Sequence, residues 1–337
     1  MRHATVVGAG SFGTALAIHA ARSGFEVHLW ARRPEAAAEL ARERRNQRYL
    51  PDAELPPGVV PTADLAASAG SDVVMMAAPS HGYRELLRAL LATWPRDREL
   101  LLVSATKGIE TETLARMSEV SAEEAALVGQ PLRFGVLSGP SFAAELAVGM
   151  PTAAVIASGD EALSVRLQEL LSSNTLRLYT SSDVVGVELG GAAKNVIAIA
   201  AGVVNGLGFG HNTLAALITR GLHEITRLGL AYGGDPRTFY GLAGLGDLVL
   251  TCTGGLSRNR RAGLALAQGE VLAELERTTG MVAEGVRTSL AITRLAEAAG
   301  VEMPICGQMV DVIYHGKRPL EAIAELMLRE LKPESAL

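Results

Sequence analysis

Hydrophobic positions follow two rhythms along the chain. Over the first half, short apolar runs recur: Ala4-Thr5-Val6-Val7-Gly8, Glu26-Val27-His28-Leu29-Trp30, Asp72 to Ala78, Leu100 to Ser104 and Phe134 to Ser138. The later ones are apolar throughout, which predicts parallel strands buried on both faces. Helical stretches separate them, such as Thr14 to Ser23, which Gly24 ends. Thr152 to Ala157 and Thr175 to Tyr179 are expected as the last strands, with a helix between. After about Asp183 the pattern is helical, with helices expected near 185–207, 212–232, 259–268, 270–278 and 287–299. An α/β domain over 1–183 and an all-α domain over 184–337 follow from this change, and 337 residues suffice for two cores.

The first strand runs directly into Gly8-Ala9-Gly10-Ser11-Phe12-Gly13 and then into a helix and a second strand. Strand, GxGxxG, helix and strand together are the signature of a Rossmann-type dinucleotide-binding domain. Gly8 allows the tight turn, Gly10 the approach of a pyrophosphate, and Gly13 close packing of helix on strand. The N–H groups at the helix start would hold the phosphates. Ala31-Arg32-Arg33-Pro34 stands where an acidic residue would receive a ribose 2′-OH. Two guanidiniums suit a 2′-phosphate instead, so NADP(H) is the favoured cofactor and NAD(H) the alternative. Glu35 comes too late, in the first turn of the next helix. Arg42, Arg44, Arg45 and Arg48 are expected to form an exposed helix face. His81 and Lys107 follow later strands at the ligand-binding edge of the sheet, His81 more as a spectator than as an acid/base. Ser141 lies after Gly139-Pro140, just before a helix that includes Glu145.

In the second half, Val185 to Ile197 opens a long apolar helix that contains Gly190-Gly191 and then Lys194. Two glycines inside a helix cost about 1 kcal/mol each, so something must come close to the backbone there. A lysine among alanines and valines must be paired or used, unless its stem alone is buried and its amine reaches water. Asp247 is a lone carboxylate in the glycine-flanked run Leu242 to Leu248. Ser257-Arg258-Asn259 at a helix start combines a cap with a guanidinium, a pattern suited to phosphate or carboxylate and also to simple capping. Val282-Ala283-Glu284-Gly285 is a further candidate ligand loop.

Composition narrows the classes. A net charge of -5 argues against a general nucleic-acid binder. Two cysteines, Cys252 and Cys306, make no disulfide framework and fit a reducing cytosol. No signal peptide is recognised in Met1-Arg2-His3-Ala4. The longest apolar run, Ala192 to Leu207, reads as too polar and too short for a clean membrane span. No His/Cys cluster suggests a metal.

Several motifs, taken in order, resemble one family. They are Gly8 to Ala15, Ala105-Thr106-Lys107-Gly108, Ser138 to Ala143, Gly149 to Thr152, Gly190 to Asn195, Leu217 to Gly221, Gly244 to Leu248 and Ser257 to Arg260. The set is similar to the bacterial NAD(P)+-dependent glycerol-3-phosphate dehydrogenases over nearly the whole chain. The resemblance implies reversible reduction of dihydroxyacetone phosphate to sn-glycerol 3-phosphate for phospholipid synthesis, by a cytoplasmic homodimer without membrane insertion. It implies Lys194 as acid/base, with Lys107, Gly139, Ser141, Asp247, Ser257, Arg258 and Asn259 lining the substrate. Ser11, Phe12, Arg32, Arg33, Lys107, Ala143, Arg258, Val282 and Glu284 would meet the cofactor, joined by Tyr49. The residues agree with this chemistry. An ammonium can stabilise charge developing on a ketone oxygen and protonate it, and a fixed phosphate orients the reacting carbon. The rival readings are a 3-hydroxy-acid dehydrogenase of the same two-domain plan and a non-catalytic NADP(H)-sensing module.

Overall fold

The structure is a computed structural model that describes residues 2–270, 283–331 and 333–334. The chain divides into two compact units, one of Met1–Lys107 and Ala115–Val184, the other of Gly108–Leu114 and Val185–Leu337.

The first unit is built on an eight-stranded sheet. Its strands are β1 (Arg2–Val7), β2 (Phe25–Trp30), β5 (Val59–Thr62), β6 (Val73–Met76), β7 (Leu100–Ser104), β8 (Leu132–Ser138), β9 (Thr152–Ala157) and β10 (Leu176–Ser181), in the order β10-β9-β8-β7-β6-β1-β2-β5. β1 is flanked in parallel by β2 (Val7 opposite Trp30) and by β6 (Val7 opposite Met76). The chain therefore reverses its direction of travel across the sheet beside β1, and the glycine turn leaves β1 at that switch point. β8 and β9 pair antiparallel, Leu137 opposite Ile156, while the other pairs of this sheet run parallel.

Side chains alternate across the strands. Val6, Leu29, Val103 and Leu137 pack in one core with α1 (Ser11–Arg22), α5 (Ala143–Val148) and α6 (Glu161–Leu171). Val7, Val74, Met76 and Leu102 pack in another with α3 (Tyr83–Thr93) and α4 (Met117–Leu127).

The arginine-rich stretch departs from expectation. α2 (Pro34–Glu43) ends at Arg44, which is left-handed with φ 51°. Arg45–Asn46 (β3) then pairs antiparallel with Leu50–Glu54 (β4). Arg42, Arg44, Arg45 and Arg48 thus share no helix face. The Arg44 guanidinium is half-buried and donates to the carbonyls of Val59, Leu55 and Pro56, bonds that tie the end of α2 to the turn before β5.

The second unit centres on α7 (Val184–Gly206), in which every residue from Gly186 to Val204 is buried. A helix apolar all round belongs inside a core. Because it begins at Val184, upstream of the run read from the sequence, α7 is long and apolar enough to cross a membrane. In this fold, however, 89% of its apolar window is buried inside the protein. Around it lie α8 (His211–Ala231), α9 (Pro236–Tyr240), α10 (Asp247–Thr253), α11 (Arg258–Ala267), α12 (Glu284–Ala298), α13 (Pro304–Tyr314) and α14 (Pro319–Met327). The helix expected over 270–278 lies outside the described residues, save for Glu270. The glycine-rich stretch after α9 forms a π-helical turn, Leu242–Gly246, that leads straight into α10.

α7 and α11 cross with backbones in contact. A Cβ on Gly202 would lie 2.0 Å from the Arg260 carbonyl oxygen, and one on Gly263 1.9 Å from that of Ile199. Segment Gly108–Leu114 belongs to this unit although it lies within the α/β half of the sequence. Ile109 is buried in the helical core, and Arg294 of α12 donates to the Thr111 carbonyl at 2.8 Å.

Candidate active site

In the first unit the glycine turn has the form a dinucleotide needs. Gly8 has φ +118°, and a Cβ there would stand 2.7 Å from the Ala77 carbonyl oxygen at the end of β6. A Cβ on Gly13 would stand 1.9 Å from the Gly8 carbonyl oxygen, so helix and turn can meet only without one. Above Gly10 a Cβ would meet nothing within 4 Å. The first turn of α1 has no side-chain cap and no acidic residue. Open space over uncapped N–H groups fits a pyrophosphate. Arg32 and Arg33 follow β2 and are exposed, a position suited to a phosphate on the adenosine side.

Three further groups gather at the carboxyl edge of this sheet. The Lys107 ammonium donates to the Gly139 carbonyl at 3.0 Å and lies 5.8 Å from the centre of the Phe12 ring. Ser141 Oγ donates to the same Gly139 carbonyl at 2.9 Å. Gly139 itself has φ +140° and a Cβ there would crowd Ala154 at 2.9 Å, so this turn requires glycine. Ala143 is half-buried at the start of α5. His81 is exposed in the short turn before α3.

In the second unit Lys194 is 4% exposed. Its ammonium donates to Asp247 Oδ1 at 2.5 Å and to Thr251 Oγ1 at 2.8 Å. Asp247 and Thr251 stand one turn apart on α10, and Thr251 Oγ1 donates in turn to the Asp247 carbonyl at 2.6 Å. A buried ammonium thus has a carboxylate and a hydroxyl acceptor whose own proton is committed elsewhere, which fixes its direction. Cys252, the next residue, is wholly buried; burial first of all pushes its thiol up to about 12, so it stays neutral beside this pair.

The anion-type turn lies close by along the same helices. Ser257 Oγ caps α11 by accepting from Arg260 N at 3.1 Å, and Arg258 is exposed in the first turn. Asn259 donates through Nδ2 to Asn195 Oδ1 at 2.8 Å and accepts at Oδ1 from Gly285 N at 3.0 Å. The neighbours of Lys194 and Arg258 are therefore bonded directly to each other, which sets the spacing of the ammonium and the guanidinium-bearing turn. Asn259 keeps one amide N–H beyond these bonds. Glu284, half-buried, begins α12 immediately before Gly285. Val282 lies outside the described residues.

Gly190 is buried, and a Cβ on it would sit 3.2 Å from the Ala243 carbonyl oxygen of the π-helical turn. Its absence lets that turn, and hence Asp247, approach α7. The sequence reading did not single out Thr251 or Asn195. Thr251 carries a usable signal: it stands four residues after Asp247, on the same face of a helix. Asn195 had no local signal, because its partner is 64 residues away.

Comparisons with known proteins give the family. Residues 3–164 match the family model for the NAD-dependent glycerol-3-phosphate dehydrogenase N-terminus, and residues 183–324 match that for the C-terminus. A glycerol-3-phosphate dehydrogenase (NAD(P)+) of Geobacter sp. strain M21 is 52% identical over 330 residues, 98% of both chains. That of Moorella thermoacetica is 47% identical over 325 residues, 96% of this chain and 95% of its own. The crystal structure of the Coxiella burnetii glycerol-3-phosphate dehydrogenase superposes with a TM-score of 0.92 at 39% identity, covering 97% of this chain and 99% of that one. With matched models over both parts of its length and relatives at about half identity from end to end, the chain belongs to the NAD(P)+-dependent glycerol-3-phosphate dehydrogenase family.

Proposed function

We propose that the protein reduces dihydroxyacetone phosphate to sn-glycerol 3-phosphate, reversibly, with NADP(H) preferred over NAD(H), and that Lys194 is its acid/base. The observation that carries the reading is the buried Lys194 ammonium aimed by Asp247 and Thr251, with the Ser257–Asn259 turn clasped to the next residue. A dinucleotide held at the glycine turn and the start of α1 would supply the hydride that the ketone carbon receives. As that bond forms, the carbonyl π pair moves onto oxygen, and Lys194 donates the proton that makes it a hydroxyl. In the oxidative direction the neutral amine accepts that proton. Asp247 and Thr251 hold the amine in one orientation throughout. The N-terminus of α11 and Arg258 receive the phosphate dianion, and the binding energy of that remote group orients the carbonyl. Lys107, Ser141 and Gly139 complete the substrate-lining set, and Ser11, Phe12, Tyr49, Ala143 and Glu284 that for the cofactor.

Arg32 and Arg33 support the NADP(H) preference, because a bidentate cation pair favours a phosphate over a hydroxyl. Paired assays with dihydroxyacetone phosphate and either NADPH or NADH test the whole reading. Turnover with short 3-oxo acids but not with the phosphate ester would overturn it. Changing Arg32 and Arg33 together to Ala should raise KM for NADPH about tenfold or more and leave that for NADH little changed; equal effects would refute the preference. The protein is further proposed to act as a cytoplasmic homodimer feeding glycerophospholipid synthesis, with light scattering at twice the chain mass as the check on the dimer.

A further inference from the structure

Of the β3–β4 hairpin only Tyr49 has a role so far, as a cofactor contact, yet the whole hairpin is tied to the glycine turn more closely than its own strand bonds require. Asn46 is 4% exposed and its amide is fully used. Nδ2 donates to the Ala9 carbonyl at 3.0 Å, between the first two glycines of the turn, and to Thr14 Oγ1 on α1 at 2.7 Å. Oδ1 accepts from Tyr49 N at 3.2 Å. The Tyr49 carbonyl in turn accepts from Ser11 Oγ, the first residue of α1, at 2.8 Å. The backbone N–H and the carbonyl of Tyr49 are therefore both fastened, one through Asn46 and one through Ser11, to the turn that opens α1.

Two consequences follow from this clasp. Ser11 spends its only hydroxyl proton on Tyr49, so toward an anion at the α1 start it can act only as an acceptor; the donors there are backbone N–H groups. The tip of the hairpin, residues 47–49, is held beside that helix start, with the Arg48 guanidinium exposed and 5.2 Å from the centre of the Tyr49 ring. A cation stacked on an aromatic face keeps its N–H edges outward. The hairpin thereby carries a guanidinium beside the start of α1, whose first turn has no side-chain cap and no acidic residue and whose Gly10 has open space above it.

We infer that Asn46 is a positioning residue for the dinucleotide, whose clasp presents Arg48 as an additional cation to the cofactor's phosphates. The inference rests on the cofactor reading above, and it concerns residues other than the Arg32–Arg33 pair. Asn46→Ser keeps a small polar group but cannot span Ala9, Thr14 and Tyr49 at once. Arg48→Ala removes the exposed guanidinium and leaves the clasp untouched, so it will fold.

The test is NADPH binding, followed by nicotinamide fluorescence at several salt concentrations, beside thermal unfolding and the steady-state split. Both variants should weaken NADPH binding about five- to tenfold while kcat stays within about twofold and KM for dihydroxyacetone phosphate is unchanged. In Arg48→Ala the loss of affinity with added salt should be shallower than in the wild type. A purely structural clasp would lower Tm in Asn46→Ser with NADPH binding at the wild-type level in both variants, and that result would overturn the inference. If the wild type itself failed to bind NADPH or NADH, the cofactor reading and this inference would fall together; wild-type binding with unaffected variants would sink this one alone.

Discussion

Lys194 shows how much one buried charge demands of its neighbours. Its ammonium has two acceptors on a single helix face, Asp247 and Thr251, and the hydroxyl's proton is taken by the Asp247 carbonyl. Replacing Lys194 by Met should lower kcat with dihydroxyacetone phosphate by about a thousandfold or more, with NADPH binding retained, since proton transfer and charge stabilisation are lost together. Stopped-flow reduction next to NADPH titration checks both halves, and near-normal turnover would remove Lys194 as the acid/base. Thr251→Val keeps the side chain's shape and removes one acceptor. It should cost about tenfold in kcat with little change in either KM, as expected for a residue that only aims another. The lysine was legible as an anomaly, a charge inside an apolar run. Asp247 was named through the family resemblance, but no local pattern could pair it with Lys194 or bring in Thr251, because Asp247 is 53 residues away and only the fold brings it there.

Among the elements, the crossing of α7 and α11 decides the geometry of the second unit. Gly202 and Gly263 allow backbone contact, and the Asn195–Asn259 bond then locks Lys194 to the Ser257–Asn259 turn. Gly263→Ala would drive a methyl into the Ile199 carbonyl. The substitution should destabilise the protein by about 1–3 kcal/mol, read as a lower urea midpoint at unchanged slope. It should also raise KM for dihydroxyacetone phosphate more than KM for NADPH, because α11 carries the anion-binding turn. Equal effects on the two would mean that the crossing does not position that turn. The sequence signalled helices here and glycines within them, but not which helices cross. The β3–β4 hairpin was missed for a different reason. Its residues are mostly charged or polar, and what holds it is a set of side-chain bonds to the glycine turn rather than an alternating apolar face.

At the scale of the whole molecule, the buried carboxyl of Glu224 ties stability to pH. This carboxyl on α8 accepts from Ile305 N at 2.7 Å and Cys306 N at 3.2 Å in the first turn of α13, and it is almost wholly buried. Burial outweighs these bonds and pushes its pKa up from 4.5 to about 7. The folded state therefore binds a proton that the unfolded chain has already released. Stability falls as pH rises from about 4.5 to about 7, and the loss is complete above the folded value, at about 3 kcal/mol in all. Glu224→Gln, which has no such proton to lose, should flatten this part of the profile. The check is the difference in urea unfolding free energy between wild type and variant at pH 5.5 and pH 8. A difference independent of pH would contradict the assignment.

What the sequence determined by itself was local. Glycine spacing, apolar period and the isolated lysine follow from backbone sterics and the cost of burying charge, both of which act within a few residues. From these came the dinucleotide turn, the sheet-then-helix organisation and the acid/base candidate. Tertiary structure alone decided the partners. It placed Asp247 and Thr251 on Lys194, Asn259 on Asn195, Asn46 on the glycine turn, and residues 108–114 in the helical unit. Each of these contacts joins distant stretches of chain, and its energy depends on burial, which no local pattern specifies. Gly190 and Gly191 stand at the meeting of the two: the sequence showed that the backbone must be approached, and for Gly190 the fold showed that the Ala243 carbonyl approaches it.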